Sequence, residues 1–114
     1  MTDVVFLKKD NIIFGFECSG HSGYAKSGED IVCSALSSMT QSCALGLIKV
    51  LKIDVDIVRD DNKGYLRVIL PKDLEKDRLD NAQILLQTLL FSVKDLVVGY
   101  SKYIKLEERD DYVY

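Results

Sequence analysis

Gly20-His21-Ser22-Gly23-Tyr24-Ala25 sets the only histidine of the chain in a glycine-rich stretch. Cys33 follows within Gly28-Glu29-Asp30-Ile31-Val32-Cys33-Ser34-Ala35-Leu36-Ser37. His21 is the one side chain here whose unperturbed pKa lies near neutrality. A cysteine attacks as the thiolate, and a neighbouring imidazolium or a helix N-terminus favours that form. Residue types in this order point to a cysteine nucleophile with a histidine base.

The surrounding elements must position those groups. Val4 to Lys8 reads as a strand, Lys9-Asp10-Asn11 as a turn, and Ile12 to Cys18 as the returning strand of a hairpin. Ser19 to Gly28 is a loop, with Gly20, Gly23 and Gly28 as hinge candidates. Ser27-Gly28-Glu29-Asp30 matches a capping box, and a helix is expected from there to about Leu51. Val32, Leu36, Met39, Cys43, Leu47 and Val50 form its apolar stripe. Ile53 to Ile57 alternates as a strand, Asp60 to Gly64 is a turn, and Tyr65 to Leu70 is another strand. A second helix is expected over Leu74 to Val98, with Gly99 as its stop. Its stripe is Leu79, Ala82, Leu86, Leu89, Val93 and Leu96, and Ile84, Leu85, Leu90 and Phe91 lie outside it as surplus apolar surface. Ser101 to Leu106 is the last expected strand, and Glu107 to Tyr114 an acidic tail. The order ββαββαβ predicts an α+β fold, two helices on one face of a largely antiparallel sheet, in a single domain over residues 1–114.

At about 100° per residue, Asp30, Cys33 and Ser37 share one side of the first helix and flank its buried stripe. Cys33 therefore faces wherever the glycine loop folds. Cys43 sits in mid-stripe and reads as a small core hydrophobe, and Cys18, ending a strand, reads as structural. A lone Cys33 would read as a buried thiol and a lone His21 as an idle loop residue; their combination with the glycines shifts the weight toward chemistry. Asp30 has a sufficient bland role as a helix-capping acid. Ser37 has one as a small residue at a packing edge. A zinc site fails on spacing. Cys33 and Cys43 stand about 15 Å apart along one helix, against zinc–sulfur bonds of about 2.3 Å. No metal or other cofactor is expected.

The chain has 114 residues, a formal net charge of −3 and three cysteines. One domain fits that length. No basic run is present to neutralise phosphates, so direct nucleic-acid binding is not expected. Nor is membrane association: the first residues are not a signal peptide, and no apolar segment reads as long enough to span a bilayer. An odd cysteine count without paired spacing favours reduced thiols and a cytoplasmic location.

The motif Gly20-His21-Ser22-Gly23-Tyr24-Ala25, then Gly28-x-Asp30-Ile31-Val32-Cys33 and Ser37, resembles that of the ribosomal-processing cysteine protease family Prp. Length and element order agree along nearly the whole chain. The resemblance implies a small bacterial endopeptidase that removes the N-terminal extension of large-subunit ribosomal protein twenty-seven, cutting after a phenylalanine. It implies His21 as general base and Cys33 as nucleophile, with Asp30 and Ser37 at two further active-site positions. Gly20, Ser22, Gly23 and Tyr24 then border the substrate, the loop moves on binding, and the protein is a homodimer. Ser22 stands where the family often has alanine, and Ser34-Ala35-Leu36 replaces a commoner Ala-Ala-Val run. Neither change removes a reacting atom. Backbone amides of Gly20, Ser22, Gly23 or Cys33 are all open as oxyanion donors, and Asp30 is open as a group that orients His21. Two other classes compete: a non-catalytic protein-interaction module of ribosome assembly, and an RNA-associated factor, which the acidic composition disfavours.

Overall fold

The computed structural model describes residues 1–20 and 27–110, with backbone alone over 27–30. Its elements are β1 (Thr2–Lys9), β2 (Ile12–Ser19), α1 (Ser27–Leu45) continued by a π-helical turn (Gly46–Val50), β3 (Asp56–Asp60), β4 (Tyr65–Ile69), α2 (Lys76–Tyr100) and β5 (Ile104–Arg109). The α+β architecture matches the expected order. One five-stranded sheet runs β3-β4-β2-β1-β5. Three of its pairings are antiparallel, and β5 alone lies parallel to its neighbour β1.

The β1–β2 turn follows from its two central residues. Asp10 and Asn11 both adopt positive φ, 53° and 66°, the double left-handed conformation of a tight hairpin, in which Asn and Asp are the best tolerated non-glycine residues. Alternation then sends Val4, Phe6, Phe16 and Val68 to the face covered by both helices. Val32, Leu36 and Leu47 from α1 and its continuation, with Ala82, Leu86 and Val93 from α2, close that core, each under 2 % exposed. Gln83 ties α2 to the sheet: its amide donates to the Ile13 carbonyl at 2.8 Å and its carbonyl accepts from the Ile13 N–H at 2.8 Å. That clamp adjoins the bulge at Leu7/Lys8, where the β1–β2 register shifts.

Several expectations change. The expected helix over Ser27 to Leu51 loses its α geometry at Gly46, whose missing side chain leaves room for Leu85. The Leu51 N–H bonds to the Gly46 carbonyl five residues back, at 2.9 Å. This π turn shifts the phase of the stripe, so Val50 is 75 % exposed instead of buried. Ile53 is not in a strand. Its N–H caps Leu47 at 2.9 Å while its side chain fills the core, and β3 begins three residues later. Gly99 does not end α2; the helix runs through it to Tyr100, and the Tyr103 N–H bonds to the Tyr100 carbonyl at 2.9 Å in the turn that follows. Leu90 is buried, so the surplus apolar surface of α2 reduces chiefly to Ile84 and Phe91. Glu107, Glu108 and Arg109 are strand, not tail, because β5 pairs with β1 as far as Leu7–Arg109. Two helical segments, Ile31–Val50 and Lys76–Tyr100, are long and apolar enough to cross a membrane, contrary to the sequence expectation. Serine and glutamine on the outer side of α1 carry no charge, so length and composition alone cannot separate this core helix from a span.

Candidate active site

Where β2 ends beside α1, a cleft of about 250 Å³ opens. Cys33, Ser37 and Gln41 reach it from α1, three positions of one helical row spaced four apart. Thr2 and Cys18 contribute from the sheet, Gly20 from the residue after β2, and Asp61 and Gly64 from the β3–β4 turn. Cys33 and Ser37 are thus brought together as their spacing predicts. Asp30 lies a turn earlier on α1, its side chain outside the described residues. His21, Ser22, Gly23 and Tyr24 also lie outside the described residues.

Cys33 is the seventh residue of α1. Six residues separate it from the helix start, a rise of about 9 Å. The helix dipole acts mainly within the first turn, so the helix N-terminus gives this sulfur less help than the sequence suggested. Another neighbour is close: Thr2 Oγ1 stands 3.8 Å from Cys33 Sγ, within hydrogen-bonding range for sulfur.

Cys18 also lines the cleft, a position its strand-end location alone did not reveal. It is opposite Val4 in the β1–β2 register, so its side chain shares the helix-covered face. Burial, then the negative charges of Cys33 and Asp3, push the Cys18 thiol up to about 11. Cys43 behaves as a core residue, 7 % exposed, with burial pushing its thiol to about 12. All three cysteines are thiols, not disulfides.

The far wall depends on two glycines. The Gly20 N–H donates to the Gly64 carbonyl at 3.3 Å. Gly64 adopts φ +60°, and a side chain there would collide with the Gly20 carbonyl. A Cβ on Gly20 would in turn meet Thr2 Cα and Oγ1 at 2.7 Å. Thr2 and Gly64 were missed from sequence. A threonine in an inward strand position and a glycine closing a turn are common enough to carry no functional signal alone.

A thiol at the wall of a cleft, on a helix packed against a mostly antiparallel sheet, has the arrangement of a cysteine peptidase, and comparison with known proteins agrees. The profile of the family described as cysteine protease Prp matches residues 1–105, and the chain belongs to that family. The chain is 30% identical over 87 residues to the ribosomal processing cysteine protease Prp of Staphylococcus aureus, covering 76% of this chain and 78% of that protein. Its Bacillus subtilis counterpart of the same name is 23% identical over 91 residues, covering 80% and 81%. A solved structure of the essential ribosomal processing protease Prp from S. aureus with a covalently linked product peptide superposes with a TM-score of 0.80 at 27% identity, covering 96% of this chain and 100% of that one.

Proposed function

We propose that this cysteine protease removes the N-terminal extension of large-subunit ribosomal protein twenty-seven, cutting after a phenylalanine, in the reducing cytoplasm. The Cys33 thiolate attacks the scissile carbonyl carbon. The C–N bond breaks, protonated His21 delivers its proton to the leaving amine, and water hydrolyses the Cys33 thioester. Asp30 and Ser37 complete the site, and Gly20, Ser22, Gly23 and Tyr24 border the peptide. The observation that carries this reading is Cys33 lining the cleft with Ser37, at the motif positions of the family to which the chain belongs.

The test is incubation of the purified protein with a tagged substrate bearing the extension, read by mass spectrometry. Release of a fragment ending in phenylalanine is expected. Uncut substrate, or a cut elsewhere, overturns the substrate assignment.

We further infer a homodimer using the outer face of α2. Ile84 and Phe91 are 66% and 62% exposed there, bordering a shallow groove with Thr88 and Asp95. Large exposed apolar side chains clustered on one face mark association surfaces. Sedimentation should give a dimer at micromolar concentration and a monomer for Phe91→Glu. A monomeric wild type rejects the dimer.

A further inference from the structure

We propose that Thr2 is a positioning residue for the Cys33 nucleophile: its hydroxyl donates a hydrogen bond to the Cys33 sulfur and favours the thiolate. The inference rests on the reading of Cys33 as the nucleophile and adds a group on β1, 31 positions earlier in the chain.

Thr2 and Thr40 are the two buried polar side chains among the described residues, 7 % and 2 % exposed. A buried hydroxyl costs stability unless it finds a partner. Thr40 finds one on its own helix, donating to the Leu36 carbonyl at 2.7 Å, the ordinary helical back-bond. Thr2 is on β1, and its hydroxyl is directed across to α1, 3.8 Å from Cys33 Sγ.

The geometry around Thr2 is fixed from three sides. Its N–H donates to the Tyr103 carbonyl at 2.8 Å, and it pairs with Ile104 of β5. Gly20 packs against it so closely that no side chain would fit between them. A β-branched residue held this way has few rotamers to choose from. The hydroxyl is therefore held in place beside the sulfur before substrate arrives.

The protonation state decides what this contact does. Beside a neutral thiol, either group can donate and the bond is weak. Beside a thiolate only the hydroxyl can donate, and the bond becomes charge-assisted and stronger. A hydrogen bond that strengthens with charge favours the charged form. Since the helix start is about 9 Å from Cys33 along the axis, Thr2 supplies nearby what the dipole delivers only weakly. Among the described residues, the other titratable groups lining the cleft are Cys18, Arg59, Asp61 and Tyr65, and Asp3 acts on Cys18. All remain in place when the Thr2 hydroxyl is removed.

The experiment measures iodoacetamide alkylation of Cys33 against pH for wild type, Thr2→Val and Thr2→Ser, with peptide-cleavage kinetics alongside. Valine keeps the shape and removes the hydroxyl; serine keeps the hydroxyl. In Thr2→Val the thiolate fraction of Cys33 at pH 7 should fall about tenfold, the low end for a hydrogen bond to a charged group, and the alkylation rate about threefold, since the more basic thiolate is the better nucleophile. The limiting rate at alkaline pH should not fall, because the more basic thiolate is the better nucleophile; kcat should fall, and KM should hold. Thr2→Ser should recover most of the loss. A Thr2→Val alkylation profile coincident with wild type overturns the proposal, as does a Thr2→Ser variant no better than Thr2→Val. If Thr2→Val is too unstable to assay, Thr2→Ala takes its place: a loss with alanine that serine recovers supports the hydroxyl, and an alanine profile coincident with wild type, or a serine loss as large as that of alanine, overturns it. Full cleavage by Cys33→Ala would instead sink the nucleophile assignment itself.

Discussion

Gly20 and Gly64 lie in hydrogen-bonded contact, the Gly20 N–H donating to the Gly64 carbonyl at 3.3 Å. The β3–β4 turn thereby holds the residue that precedes His21 in sequence. Gly64 combines φ +60° with the Gly20 carbonyl where its side chain would be. No other residue type meets both conditions without strain.

Gly64→Ala should therefore cost about 1–3 kcal/mol of stability, from left-handed strain and steric displacement together. Peptide cleavage should fall more than stability alone explains, since Gly20 must shift. Thermal melts and kcat/KM on the folded fraction check this; wild-type values of both would show that the turn does not hold the cleft.

Cys33→Ala should abolish cleavage and leave the fold intact, because this side chain lies at a cleft wall. In the wild type, iodoacetamide at pH 7 should reach Cys33 first. A thiol raised from 9.0 to about 11, as Cys18 is, carries about 100-fold less thiolate than one left at the starting value. The higher nucleophilicity of a basic thiolate offsets part of that. Cys18 should react at least about tenfold more slowly than Cys33, and Cys43 more slowly again. Peptide mapping after brief labelling reads the order, and label on Cys18 first would contradict it.

Stability should fall at alkaline pH. Folding raises the Cys18 and Cys43 thiols from 9.0 to about 11 and about 12. The native state thus holds protons that the unfolded chain releases. The contribution is complete below about pH 9 and is lost as pH rises toward 11 and 12. Denaturant midpoints from pH 8 to 11 should decline, and Cys43→Ala should flatten the decline while lowering stability at pH 8 through lost packing. An equal slope in both proteins would remove the Cys43 share.

At the other end of the scale, Glu108 joins three elements. Its carboxylate accepts from Lys8 Nζ at 3.0 Å and pairs with Lys94 Nζ at 3.3 Å, linking β5 to β1 and α2. The hydrogen bond from Lys8 is the largest influence and lowers its pKa; burial, next in size, opposes it, and the hydrogen bond from Lys94 and the two ammonium charges add to the lowering, so the carboxyl stays below its usual value. Such stabilisation is present above the unfolded-state pKa and fades as pH falls through the folded one. Partial exposure keeps it small. Glu108→Gln should cost under about 1 kcal/mol at pH 7, with the gap to wild type closing below pH 4. A gap that persists at pH 3 would mean packing, not charge.

Element order, the two apolar stripes and the Cys33–Ser37 face of α1 were all legible in the sequence, because each follows from local periodicity. Cys43 was placed correctly in the core for the same reason. Tertiary packing decided the rest. Leu85 against Gly46 accompanies a π turn that swings Val50 into solvent, and Ile53 leaves its strand pattern to cap that turn. The parallel seating of β5 on β1 recruits Glu107 to Arg109 into the sheet, a pairing between opposite ends of the chain that no local pattern encodes. The same long-range closure brings Thr2 to Cys33 across 31 positions. Sequence spacing can tell which residues share a helix face. What stands opposite that face depends on strand order and register, and these are set only when the whole core closes.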